Sequence, residues 1–445
     1  MHVNFFELST MGPEEKSRLF RRNGVDLDRL VEQVRPLVAD VRDRGDDAVR
    51  ELALRFDGAD MDPSAFRVPV AEMDSAVEGL APELRDAMEV SIRNIRAFHE
   101  CQVEPATWEM EISPGIVAGE RTIPLESVAL YVPRGKGSFP SMMMMAGVPA
   151  KVAGVGRIVT ITPPDRAGKA DPATVAAARL IGLDEVYAVG GVQAIAAVAY
   201  GTRTLPKVDK IVGPGSGYVL AAKQILSTVV DTGLPAGPSE ALVLADRSID
   251  VETAVIDLLI EAEHGPDSAA YLVTADPTVA REACRLIPIL VAQLPEERRS
   301  FCEAVFSANG GVVLAQDMEE AIGFINAFAP EHLQVLTEDP SAILDRIAFA
   351  GEVLLGPYTP GTLANYSIGP NAILPTSGFA RTASALSVRD FVRKMSFSRV
   401  TKEGFEYLAP KTVVLAQYEG FAAHARALTH RLDVRDSGEL RAFQE

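Results

Sequence analysis

Between Val128 and Asp231 the chain repeats one pattern: a short apolar run, a turn rich in Gly or Pro, then a segment with helical spacing. The apolar runs Val128–Val132, Arg157–Ile161, Glu185–Val189 and Lys210–Val212 are too short for buried helices and read as strands. The segments Met142–Val148, Pro172–Ile181 and Gln193–Ala199 between them read as helices packed on a sheet. Successive βα units of this kind build a parallel sheet with helices on its faces. A second α/β region starts at Glu240–Ala245, with further strand candidates at Ala269–Thr274, Gly311–Ala315 and Gln334–Thr337.

The chain outside these regions has a different texture. Val25 to Leu54 mixes aliphatic and charged side chains at helical spacing, and Pro36 is expected to divide or kink that stretch because proline removes a backbone donor. Leu84 to Phe98 reads as another helix, with Pro82 at a helix start where a missing N–H costs little. Trp108 to Leu130 alternates polar and apolar residues and reads as strands and turns, so a boundary falls between Val103 and Tyr131. From Val388 onward the chain reads as mainly helical. At 445 residues it exceeds what one core usually organises, and no Ser/Gly linker separates the parts, so packed domains are expected.

A net charge of -18 argues against a nucleic-acid partner, which needs a basic footprint to neutralise phosphates. It does not argue against an anionic cofactor, because backbone N–H groups at a helix start act locally. Cys101, Cys284 and Cys302 are far apart and form no metal pattern, so they read as core or surface thiols. No basic leader and no apolar run of membrane-spanning length are present, and a soluble cytoplasmic protein is the expectation.

Three groupings pair an acid with an imidazole. Glu261 and His264 share a face if the preceding stretch is helical, and such a pair can hold zinc or simply polarise and cap a helix end. Ala329-Pro330-Glu331-His332 places an acid beside an imidazole, which a loop or helix start must aim together for proton transfer; the plain reading is a polar helix start. Glu419 and His424 would lie about 140° apart on a helix, so that one meets a ligand while the other supports it. His99, His2 and His430 have no comparable context. The turns Gly190-Gly191 and Gly213-Pro214-Gly215 follow apolar strands; close approach to a nucleotide and simple tight turning both remain open, since neither matches GxGxxG. Ser239, in the rigid Gly233–Glu240 turn, is a substrate-binding candidate or a turn residue.

Taken together, these segments resemble the histidinol dehydrogenase family, most densely at Tyr131–Pro133, Gly190–Ala196, Pro206–Ile211, Leu234–Glu240, Glu263–Ser268 and Phe328–His332. The resemblance implies two incomplete Rossmann-like α/β domains with a small, mainly helical C-terminal region. It divides the chain into an N-terminal segment 1–24, a discontinuous catalytic domain 25–130 and 241–386, an NAD-binding domain 131–240, and a C-terminal region 387–445 exchanged in a homodimer. It also implies oxidation of a primary alcohol through an aldehyde to a carboxylate, with NAD and zinc. Glu331 would activate water and His332 transfer protons; Ser239 and Glu419 would contact substrate, and Tyr131 and Gln193 would lie near NAD. His424 would reach the partner's site.

Three departures accompany the resemblance. Ser216 stands where the family usually has an asparagine contacting NAD. The metal ligands, normally Gln, His, Asp and His, are matched by Glu261, His264, Asn365 and His424, an exchange that conserves total ligand charge. Ala372 replaces a histidine beside the active site, which removes volume and a hydrogen-bonding group and points to an alcohol other than histidinol. Authentic histidinol oxidation and a catalytically silent metabolite-binding homologue are the alternatives.

Overall fold

The computed structural model describes residues 1–20, 27–134, 137–234 and 237–436. The expected helix start at Val25, the boundary at residue 24, Gly135 and the Pro235-Ala236 step lie outside the described residues. The chain forms two units, Met1–Val103 with Pro124–Phe391, and Glu104–Ile123 with Val392–Glu445.

The larger unit contains two parallel sheets. In the four-stranded sheet the order is Val186–Tyr187, Arg157–Ile161, Ser127–Tyr131, Lys210–Val212. The chain thus builds outward from Ser127–Tyr131 in one direction and returns to its other side, leaving a topological switch point between Tyr131 and Val212. Helix Gly191–Tyr200 is almost wholly buried because its small residues, Ala194, Ala196, Ala197 and Ala199, allow close packing. Helix Leu27–Arg44 joins this core through Val34, Val38 and Val41, spaced four and three residues apart on one face.

The six-stranded sheet runs Phe5–Glu7, Gly310–Leu314, Ala269–Thr274, Glu240–Ala245, His332–Leu336, Glu352–Leu355, all parallel. Its central strands are continuous apolar runs, as a sheet covered on both faces requires. Helices Val251–Ala262, Pro277–Val291 and Glu296–Ser307 cover one face, and Met318–Phe328 the other. The edge strands Phe5–Glu7 and Glu352–Leu355 had no expectation attached, being short and flanked by polar residues.

The smaller unit pairs Thr107–Ser113 with Ile116–Pro124 antiparallel and adds Val392–Val400 as the third strand. Helices Lys402–Tyr418 and Ala422–Asp436 follow. The tail is therefore less helical at its start than expected. Val392–Val400 is mostly exposed and rich in Arg, Lys and Ser, so it lacks the apolar alternation that marks a half-buried strand.

Pro36 does not divide the first long helix, which runs from Leu27 to Arg44. Pro36 is exposed and lies off the Val34–Val38–Val41 stripe, and the carbonyl four residues earlier belongs to exposed Glu32, where water can satisfy it. The break comes at Gly45, whose φ of 58° is costly for other residues. Among the described residues no helix is long and apolar enough to cross a membrane.

Two glycines make opposite predictions. Gly213 has φ 120°, and a Cβ there would lie 2.1 Å from the Tyr131 carbonyl oxygen. Gly213→Ala is expected to cost about 2 kcal/mol or more, visible as a lower melting temperature. Gly323, in the exposed middle of helix Met318–Phe328, has nothing within 4 Å of its virtual Cβ. Gly323→Ala should raise stability by up to about 1 kcal/mol.

Candidate active site

A cavity of about 400 Å³ opens where two sheet ends face each other within the larger unit. Pro133 and Arg134 follow strand Ser127–Tyr131, and Pro214 to Gly217 follow strand Lys210–Val212, so the carboxyl ends of the four-stranded sheet form one wall. This is the switch-point edge at which open parallel sheets bind ligands. The opposite wall comes from the amino ends of the six-stranded sheet: Ser239, Ser268, Glu331 and His332. Glu261, His264, Asn365, Ala372 and Ser216 also line it.

Glu331 lies in the turn after helix Met318–Phe328, where Ala329 at φ 53° reverses the chain, and His332 is the first residue of the next strand. A loop-to-strand junction aims the pair, where sequence spacing had left a loop or a helix start. The backbone N–H of Glu240 donates to Glu331 Oε2 at 2.9 Å. Burial pushes the Glu331 carboxyl up to about 8; Glu261 and Glu240 add to the shift, and His332 opposes it.

His332 is contacted at both ring nitrogens. Nδ1 lies 2.6 Å from Glu352 Oε1, while Nε2 faces Glu331 Oε1 at 3.7 Å and Glu261 Oε1 at 3.9 Å. Burial alone would lower its proton affinity, but the carboxylates of Glu261, Glu331 and Glu352 outweigh burial and hold His332 well above the usual imidazole range. The opposite directions within this cluster follow from its arrangement: one imidazole serves several acids, and the acid with the least compensation stays protonated.

Glu261, buried on the last turn of helix Val251–Ala262, accepts from Asn365 Nδ2 at 2.9 Å and lies 3.2 Å from His264 Nδ1. Burial would raise its carboxyl, yet His332, His264, Asn365 and the Ser239 hydroxyl together hold it below the ordinary carboxylate range. His264 Nδ1 is also 2.9 Å from the Ile260 carbonyl, so the helix-end capping expected for this residue and its position beside Glu261 occur together. Among the described residues, no three His, Cys, Asp or Glu side chains gather as a metal centre. The third polar group beside Glu261 and His264 is the Asn365 amide.

Ala372 is held on a fixed loop. Asn371, buried beneath it, donates to the Met145 carbonyl at 2.6 Å and lies 3.3 Å from His99 Nε2. His99 itself is buried with Nδ1 at 2.7 Å from the Ile95 carbonyl, and burial lowers its proton affinity. His99, to which sequence context gave no role, therefore supports the loop that carries Ala372. Glu352 was also missed; its only signal is its register opposite His332 in an unexpected strand.

The expected NAD contacts divide. Ser216 precedes helix Gly217–Leu226 at the cavity wall. Tyr131 and Gln193 meet instead at the Gly190–Gly191 turn: Gly191 N–H donates to the Tyr131 hydroxyl at 3.4 Å, and Gln193 Nε2 donates to Asp57 Oδ2 at 3.1 Å. Gln193 Oε1 is buried with no hydrogen-bond partner. Glu419 and His424 belong to the smaller unit, where both are exposed; Glu419 ends helix Lys402–Tyr418 and His424 packs against Phe421 with ring centroids 5.0 Å apart. The three cysteines are free thiols.

Fold and cavity together define a parallel α/β protein with a buried acid–base cluster facing a switch-point edge. A profile of the histidinol dehydrogenase family matches residues 20–432. A histidinol dehydrogenase homolog of Rhizobium meliloti is 49% identical over 98% of this chain and 95% of its own, and a histidinol dehydrogenase of Synechocystis is 48% identical over 96% and 99%. The crystal structure of histidinol dehydrogenase from Elizabethkingia anophelis superposes with a TM-score of 0.90 at 34% identity, covering 98% of this chain and 99% of that one. The chain belongs to the histidinol dehydrogenase family.

Asp57 provides a test of the environment around Gln193. Burial pushes its carboxyl up to about 6, against the pull of the Gln193 amide. Between about pH 4 and 6 the folded protein therefore holds a proton that the unfolded chain releases, and this stabilising contribution is lost as pH rises through the folded value. Thermal melts should show a smaller loss of stability across that window for Asp57→Asn than for the native protein; equal losses would contradict the assignment.

Proposed function

We propose that this protein is an NAD-dependent dehydrogenase that oxidises a primary alcohol through its aldehyde to the carboxylate. The observation that carries this reading is the buried Glu331–His332 pair at a cavity whose opposite wall is the switch-point edge of a parallel sheet. The relatives favour L-histidinol as the alcohol, more than they favour the paralogue reading drawn from sequence departures, since 48% identity to a protein named histidinol dehydrogenase extends over 96% of the chain. A second reading, a differently shaped or anionic alcohol, is supported by Ala372, whose methyl group lines the cavity at the position the family usually fills with histidine.

NAD supplies the hydride acceptor for both oxidations. In the form in which Nε2 carries no proton, His332 takes the hydroxyl proton there, on the side of Glu331 and Glu261, with Nδ1 held by Glu352. Glu331 acts on the aldehyde stage: as carboxylate, steadied by the Glu240 N–H, it removes a proton from the attacking water. Ser239 and Ala372 contact substrate, with Glu419 as a further contact. Tyr131, Gln193 and Ser216 bind the cofactor, and the orphaned Gln193 Oε1 offers an acceptor for a donor on it.

The donor set suits zinc. Glu261 offers a carboxylate, Asn365 an amide oxygen, and a histidine whose Nδ1 is held by a carbonyl, as in His264, ligates through Nε2. With His424 as the fourth ligand, zinc would supply Lewis-acid polarisation of the substrate oxygen. We further read the protein as a cytoplasmic homodimer without a nucleic-acid partner, in which region 387–445 is exchanged and His424 serves the partner's site. Domain 131–240 binds NAD, and 25–130 with 241–386 carries the catalytic groups.

Incubation with L-histidinol and a panel of primary alcohols should yield two NADH per alcohol and a carboxylate product. One NADH with release of aldehyde would overturn the two-step reading, and absence of NADH with every alcohol would favour a silent homologue. Because Glu331 is protonated below about 8, the aldehyde step should accelerate as pH rises through that value. Chelation should lower the rate and added zinc restore it; full activity in demonstrably metal-free protein would remove the zinc assignment.

The shared site has its own test. Inactive His424→Ala and Glu331→Ala chains, mixed into demonstrable heterodimers, should regain one native site per heterodimer, about half the activity of the native dimer. No recovery would place His424 outside the partner's chemistry.

A further inference from the structure

Strand Glu352–Leu355 pairs in parallel with His332–Leu336, and the register sets Glu352 directly opposite His332. Gly351, just before it, tolerates no side chain: a Cβ there would lie 2.5 Å from the Glu331 carbonyl oxygen. Glu352 N–H also donates to that carbonyl at 3.0 Å, so the strand is fixed against the catalytic turn at two successive residues. Strand pairing therefore delivers the Glu352 carboxylate to His332 Nδ1 at 2.6 Å.

Glu352 also lines a second cavity, of about 660 Å³, whose walls include Lys210, Asp231, Ser384 and Asp390. This cavity shares no lining residue with the cavity that holds Glu331 and His332. His332 lines one and Glu352 lines the other, and the two side chains touch. The larger cavity contains none of the residues expected to bind substrate, cofactor or metal, so it has no role in the reading above.

We propose that Glu352 is the positioning residue for His332: its carboxylate holds Nδ1, so that Nε2 is the nitrogen that meets the substrate's proton in the reaction cavity. The assignment rests on the dehydrogenase reading. With His332 as a neutral imidazole whose Nδ1 proton is held by Glu352 Oε1, the alcohol's O–H proton goes to Nε2, and bound NAD would take up the hydride. The proton on Nε2 then leaves to water in the reaction cavity while the Nδ1 proton stays on the ring, so each turnover leaves both residues as they began. The same contact directs Nε2 toward the reaction cavity by keeping Nδ1 bonded to the carboxylate.

Glu352→Gln retains the side-chain shape without the negative charge. Steady-state NADH formation should show kcat lower by about 10- to 100-fold, with the alcohol KM and the affinity for NAD within about twofold of native. Glu352→Ala, which opens the second cavity further, should regain activity in a saturable manner when formate is added, and chloride at equal ionic strength should have no effect. A merely structural carboxylate would not be replaced by a diffusible one. Glu352→Gln with native kcat, or Glu352→Ala indifferent to formate, overturns the assignment while leaving the dehydrogenase reading intact. A native protein that reduces no NAD with any alcohol overturns both.

Discussion

The parallel pairing of His332–Leu336 with its neighbours governs the chemistry of this molecule. Its start receives Glu331 from a reversed turn, its register places Glu352 opposite His332, and strand Glu240–Ala245 on its other side contributes the N–H that holds Glu331. An imidazole in contact with three acidic side chains is an unusual arrangement to bury, because isolated charges are strongly penalised in a low-dielectric interior. Compensation comes from mutual contact: His332 and its neighbours sustain Glu261 as a carboxylate, whereas Glu331 is left with less support and stays protonated at neutral pH. Two acids that face the same imidazole nitrogen thus acquire different protonation states from their surroundings alone.

The same logic explains where the site sits. In an open parallel sheet the carboxyl ends of the strands are the usual place for ligands, and the four-stranded sheet follows that rule with the turns after Tyr131 and Val212. The six-stranded sheet contributes its amino ends. Helix N-termini such as Gly217–Leu226 offer backbone donors to an anionic ligand, so one wall suits a dinucleotide's phosphates while the other concentrates titratable groups. The overall charge of -18 does not argue against this division, because backbone groups at a helix start act locally.

Much of this was legible in the sequence. The strands of both sheets that are buried on two faces are apolar runs, and Arg157–Ile161, Lys210–Val212, Glu240–Ala245 and Ala269–Thr274 were read with their observed limits. Glu261 and His264 were placed together by helical spacing, and the convergence of Asn365 on them came from family resemblance. The edge strands of the six-stranded sheet, Phe5–Glu7 and Glu352–Leu355, were not legible, because a residue at a sheet edge need not be apolar. Glu352 belongs to that class: its meaning arises from register with a strand twenty positions earlier, which no local pattern encodes. His99 was missed for a related reason, since a histidine on a helix reads as surface until its partners, the Ile95 carbonyl and Asn371, are known.

Ala372 shows how such distant supports bear on specificity. Its loop is fixed from below by Asn371, which bonds the Met145 carbonyl and the Ile373 N–H and abuts His99. A loop held this firmly has little freedom to move inward and refill volume lost when a large side chain is replaced by a methyl group. The space beside Ala372 is therefore available to a substrate group bulkier than the one a histidine at this position would admit, or to water bridging a smaller one. The same cavity is lined by the polar side chains of Ser239, Glu261 and Asn365. The rigidity of the Asn371 anchor turns one small residue, Ala372, into a determinant of cavity shape.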